Sequence, residues 1–197
     1  MWECVYRTPT AEGDHCKYAT EYASFGVKVY CNQHVEERNV FPYSTCQVMN
    51  EGDTFYIGKF AVVPISLHHD VPNFGYMIHH PNMGNLLFAT DTFKMPVTLT
   101  GVNHFLIEAN YSDALLKENV WNGNINKAQA DRIMLSHMSL DYCIQYLRDC
   151  EAEKSAKTIT LCHLSERNSD PDLFQKTVAG AFGIPTFCAH KGLIVDL

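Results

Sequence analysis

The chain has 197 residues, 46% of them hydrophobic and 19% charged, which is the composition of one globular domain rather than of a disordered chain. Its net charge of −7 argues against a grip on a long nucleic-acid backbone, which needs many Lys and Arg to displace counterions, but leaves room for a small anionic substrate. No run approaches the ~18 apolar residues of a membrane helix, and the opening Met1-Trp2-Glu3-Cys4 has no signal-peptide pattern, so a cytoplasmic protein is expected.

The elements follow in chain order. Tyr18, Ala19, Tyr22 and Phe25 recur at helical spacing and predict a helix over 15–25, with Gly26 as its stop. A short buried strand is expected over 27–31, and a strand pattern over 53–67 is broken by Gly58. Strands over 76–78 and 86–90 flank the turn His80-Pro81-Asn82-Met83-Gly84-Asn85, and 105–109 is another apolar strand. Helices are expected around Leu115 and Leu116 and over 127–135. Ser139 can cap a further helix with Leu140, Cys143, Ile144 and Leu147 on one face. A strand over 158–162 precedes a helix capped by Asp170, opened by Pro171 and closed by Gly183, and a last strand covers 184–188. Strands followed by alternating helices and strands predict a layered α/β protein in a single domain over 1–197. The eight cysteines form no C-x-x-C pair and read as free thiols of a reducing compartment.

Four segments mount His or Asp at strand ends or in loops: Asp14-His15, His69, Asp91 and His163. A rigid strand that stops at a donor side chain fixes that donor while the loop admits solvent. Imidazoles with carboxylates suit zinc or a similar borderline metal. Each position also has a plain structural reading. Asp14 can cap the first helix, His68 competes with His69, Ser139 does the capping beside His137, and Arg167 can pair with Asp170. Glu108 and Asn110, at the end of a strand, read as structural.

Several motifs now stand in a familiar order. Thr10-Ala11-Glu12-Gly13-Asp14-His15 resembles the H-x-H-x-D-H loop of metallo-β-lactamase-fold hydrolases. His69-Asp70-Val71-Pro72-Asn73-Phe74-Gly75-Tyr76 resembles the third motif of the branch that holds ribonuclease Z, exonuclease-like proteins and phage cyclic-nucleotide phosphodiesterases. Phe88-Ala89-Thr90-Asp91-Thr92 resembles the strand with the bridging aspartate, His137-Met138-Ser139 the helix-start histidine segment, and Leu161-Cys162-His163-Leu164-Ser165-Glu166-Arg167 the final metal histidine with its Ser-x-Arg element. The resemblance implies an αββα sandwich. It implies one metal held by Asp14, His15, Asp91 and His163, and a second, damaged position built from His69, Asp91 and Glu12. One or two zinc ions are implied, with manganese or iron as alternatives. Asp14 and His137 take catalytic roles, His137 as the acid at the leaving oxygen, and Ser165 and Arg167 hold a phosphate.

Two departures shape the expectation. Thr10 and Glu12 stand where the family has its first two histidines, and only nine residues precede the loop, so an N-terminally incomplete sandwich that pairs as a homodimer is expected. Three functions stay open: a metal-dependent hydrolase of phosphodiesters, with a small, cyclic nucleotide as the favoured substrate; a degenerate, non-catalytic binding or assembly protein; and a nuclease of the ribonuclease Z or exonuclease type.

Overall fold

The computed structural model describes residues 3–5, 15–42 and 44–197, with the backbone alone for 3–5 and 15–18. Its elements are β1 (Glu3–Val5), α1 (His15–Ser24), β2 (Lys28–Cys31), α2 (Gln33–Arg38), β3 (Cys46–Val48), β4 (Phe55–Ile57), β5 (Phe60–Leu67), β6 (Asn73–His80), β7 (Gly84–Ala89), β8 (His104–Glu108), α3 (Asp113–Trp121), α4 (Lys127–Ser136), α5 (Leu140–Asp149), α6 (Ala152–Ser155), β9 (Thr158–Cys162), α7 (Pro171–Phe182) and β10 (Thr186–Cys188).

Two sheets face each other between helices. A seven-stranded sheet has the order β10-β9-β8-β7-β6-β5-β4, and a three-stranded parallel sheet the order β1-β2-β3. Side chains alternate across a strand, and here the alternation assigns the layers. Leu87, Phe105, Ile107, Ile159 and Leu161 pack against Cys143, Ile144 and Leu147 of α5 and Phe174 and Val178 of α7. Their neighbour Phe88, with Val62 and Tyr76, turns the other way and meets Tyr30 of the small sheet and Met49 just beyond β3. On the far side of β2, Val29 packs under Ala19 and Ala23 of α1. The expected four layers are therefore present. Burying a Leu, Ile or Phe fully contributes about 1.5–3 kcal/mol, so the interior around Phe105, Leu161 and Phe174 is the main source of stability.

The helices begin and end where their caps say they should. Ser139 accepts the Tyr142 N–H at 3.2 Å to open α5. Asp170 accepts the Leu173 N–H at 3.0 Å to open α7, and Gly183 closes that helix at φ +68°. The expected strand over 53–67 is instead a hairpin of β4 and β5, because Gly58 turns the chain at φ +59°. The last strand starts two residues later than expected, at Thr186.

The ladder directions decide where the site lies. β5 and β6, then β6 and β7, are antiparallel, while β7, β8 and β9 are parallel. The C-terminal ends of β5, β7, β8 and β9 therefore share one edge of the large sheet. Asn73 starts β6 at that same edge, opposite Leu67.

Candidate metal centre

Four donors converge at this edge. Asp91 lies two residues beyond β7, Glu108 ends β8, His163 follows β9, and His137 caps the C-terminus of α4. One ligand atom from each can be chosen so that all lie within 4.8 Å of one another. Asp91 and Glu108 are 1% and 0% exposed, a burial that carboxylates tolerate only when paired or metal-bound. Asp91 and His163 adopt left-handed backbone, at φ +55° and +56°. That conformation costs a non-glycine residue roughly 1–3 kcal/mol, although Asp and His tolerate it better than most.

Glu108 sits at the hub. Its Oε1 accepts from Nδ1 of His163 at 2.7 Å and from Nδ1 of His137 at 2.8 Å. Its Oε2 accepts the Thr92 backbone N–H at 2.9 Å. Burial alone would raise this carboxyl, but the two imidazole hydrogen bonds outweigh it and hold the group below its ordinary value. A tetrahedral zinc at about 2.0–2.1 Å would spread its ligand atoms to about 3.3 Å, so 2.7–2.8 Å is hydrogen-bond spacing. Glu108 thus acts as acceptor for both rings. That puts the proton of each ring on Nδ1, the nitrogen that also faces Asp91. Asp91 Oδ1 lies 3.1 Å from Nδ1 of His163 and 3.8 Å from Nδ1 of His137.

His69 lines the same hollow but stands outside the four-donor group. Its side chain is 3% exposed and its ring centroid is 5.5 Å from that of His137. Nδ1 donates to the Ser136 carbonyl at 3.1 Å, and Nε2 is 3.0 Å from Asp70 Oδ1. Burial lowers this imidazole below its ordinary value, against the opposing pull of Asp70 and the Ser136 carbonyl. His68, the alternative in the sequence, lies against Phe93 with ring centroids 5.5 Å apart and ring planes tilted by 43°. Of the two neighbours, His69 is the one whose ring lies beside that of His137.

A cavity of about 420 Å³ opens above His69, His137 and His163. Arg132, Ser165 and Arg167 stand in its wall, with Ile125 and Ile133 as its apolar part. Ser165 Oγ accepts from the backbone N and from Nδ2 of Asn168, at 3.3 and 3.2 Å, so this hydroxyl also shapes its own loop. Arg132 reaches Asp70 at 3.2 Å from the outer side.

The structure thus brings together Asp91, His137 and His163, with His69, Ser165 and Arg167 around the cavity. Thr10, Glu12 and Asp14 lie outside the described residues. His15 begins α1, and only its backbone is described. Glu108 is the hub that sequence reasoning set aside as structural, although Phe105-Leu106-Ile107-Glu108 is the same apolar strand ending in a donor that marked Asp91 and His163. The donor set of two imidazoles and two carboxylates fits a zinc, manganese or iron ion.

Comparison with known proteins bears on the fold. No family model matches the sequence, and no curated protein matches it significantly. Solved structures do match. The metallo-β-lactamase fold protein YhfI from Bacillus subtilis superposes with a TM-score of 0.69 at 12% identity, covering 98% of this chain and 76% of that one. Igni18, a metallo hydrolase from the archaeon Ignicoccus hospitalis, gives 0.68 at 12% identity, over 98% and 78%. A diphosphatase of the PhnP family gives 0.58 at 15% identity, over 87% and 58%.

Proposed function

We infer, from the metallo-β-lactamase fold this chain adopts, that it is a metal-dependent hydrolase of phosphodiester bonds acting on small nucleotides. Cyclic nucleotides are the favoured substrate. The observation that carries the reading is the meeting of Asp91, Glu108, His137 and His163 at one sheet edge under a cavity that Arg167 borders. The diphosphatase among the structural neighbours supports phosphoryl chemistry on this fold.

In this reading Asp91 and His163, with Asp14 and His15, hold one metal, and His69 serves a second position. A bound metal would supply Lewis acidity and lower the pKa of water toward ~7. The remaining work belongs to the chain. Arg167 binds the phosphate through its planar fork. His137, with Nδ1–H held by Glu108, hands the leaving oxygen a proton from Nε2, a step that requires both ring nitrogens to be protonated. The net charge of −7 favours a small anionic substrate over a long nucleic acid. The homodimer belongs to the same reading, and its test is a light-scattering mass.

The experiment is elemental mass spectrometry of the purified protein, followed by assay of cyclic nucleotides and bis(p-nitrophenyl) phosphate before and after chelation. About one metal per chain and turnover that chelation abolishes support the reading. Metal uptake without turnover of any phosphodiester favours the second reading, a non-catalytic binding protein. The residues Thr10 and Glu12 at family histidine positions are the observation in its favour.

A further inference from the structure

Asp91 and His163 share more than a left-handed backbone. Each has its own carbonyl held by a buried asparagine from the strand next door. Asn73, at the start of β6, donates through Nδ2 to the Asp91 carbonyl at 3.1 Å and to the Thr90 carbonyl at 3.0 Å. Asn110, two residues beyond β8, donates through Nδ2 to the His163 carbonyl at 2.7 Å. The two asparagines are 3% and 7% exposed. One device therefore occurs twice, on β6 beside β7 and on β8 beside β9.

We propose that Asn73 and Asn110 are positioning residues, amide latches that select the left-handed turns of Asp91 and His163 and so aim both side chains at the metal. The proposal rests on the reading that Asp91 and His163 are metal ligands.

The chemistry favours asparagine for this task. A carbonyl must be met by a donor, and an ionised aspartate has none. A serine offers one proton, whereas Asn73 spends two on adjacent carbonyls. Asn73 Oδ1 is buried with no partner among the described residues, so the amide is set by its two donated bonds. Beyond the turn, Glu108 grips the Thr92 N–H, so Asp91 is pinned on both sides. For His163 the next anchor is the Ser165 N–H on the Asn110 carbonyl, at 2.8 Å. Asn110 thus holds its loop through both its side chain and its backbone.

The test has a readout that needs no metal. NMR scalar couplings and carbon shifts of residues 91 and 163 are compared in metal-free wild type, Asn73→Ala and Asn110→Ala, with circular dichroism as the check on folding. Wild type keeps both positive φ angles. Each alanine variant loses the left-handed signature at its own partner and keeps it at the other. Zinc and cobalt affinities, by competition with a chelator, fall about 10–100-fold per variant. Asn73→Ser, which keeps one donor, lies between. If Asn73→Ala does not fold, Asn73→Ser and Asn110→Ala carry the same comparison. Folded variants with unchanged φ signatures and wild-type metal affinity overturn the latches. A wild-type protein that takes up neither metal overturns the metal reading instead, while the backbone readout still decides the latches.

Discussion

Glu108 accepts the Nδ1 proton of His163 at 2.7 Å across the parallel pair β8–β9, and the same oxygen accepts from His137 at 2.8 Å. Both carboxylate oxygens face donors, since Thr92 N–H meets the other one. Glu108→Gln keeps the shape but turns an amide NH2 toward a donor in either orientation. The expected outcome is a loss of about 1–3 kcal/mol of stability in urea unfolding and a 10–100-fold loss of metal affinity by chelator competition. Wild-type values for both would remove Glu108 from its orienting role.

Arg167 and Arg132 border the same cavity but should respond differently to truncation. Arg167→Ala is expected to raise KM for a phosphodiester at least tenfold with a smaller change in kcat, read from steady-state kinetics. Arg132 is 62% exposed and its ion pair with Asp70 is screened by solvent. Arg132→Ala should therefore change stability by less than about 1 kcal/mol, which urea unfolding can measure.

Gly75 lies in β6, which is paired on both sides, opposite Ile65 of β5. A Cβ there would stand 2.8 Å from the Phe88 carbonyl oxygen and 3.2 Å from Leu67 Cδ1. The nearer contact is backbone and cannot swing away. Gly75→Ala should cost about 1–3 kcal/mol, seen as a lower midpoint of thermal or urea unfolding.

His104, at the start of β8, adds a pH-dependent contribution to stability. It is 2% exposed, with Nε2 donating to the Met83 carbonyl at 3.2 Å and Nδ1 against Thr158 Oγ1 at 2.8 Å. Burial lowers its pKa, the Met83 carbonyl opposes that, and the charge of Lys157 adds to it. The unfolded chain then binds the proton at higher pH than the folded one. The stabilising contribution is complete above about pH 6.5 and is lost as pH falls from there through the lower folded value. His104→Gln should flatten the fall of the unfolding midpoint between about pH 7 and pH 5 relative to wild type. An identical pH profile for the two proteins would count against this assignment.

The long elements were legible because periodicity and caps agreed in them. α5 and α7 follow from Ser139 with its apolar stripe and from the Asp170–Pro171 start with the Gly183 stop. β1, α2, β3 and α6 were not read, since three to six residues are too few for a period to show. Asp91 and His163 were legible as donors beyond apolar strands, and His137 through the resemblance of His137-Met138-Ser139 to a family segment. Glu108 was not, because a lone acid after an apolar strand looks the same whether or not two imidazoles wait beside it. Asn73 and Asn110 were out of reach for a related reason: their partners are main-chain carbonyls, which carry no sequence signature.

The gathering of the site at three strand ends and one helix end has a consequence for folding. The donors span the chain from Asp91 to His163, and the three on strand ends face the centre only if their strands pair in the right register. A slip of one residue in β8 or β9 would turn the terminal donor to the opposite face of the sheet. No local fragment can form the site, so it appears late, when long-range pairing is complete. A metal that binds there reports a correctly threaded sheet, and on refolding its uptake would serve as a proofreading signal for strand register.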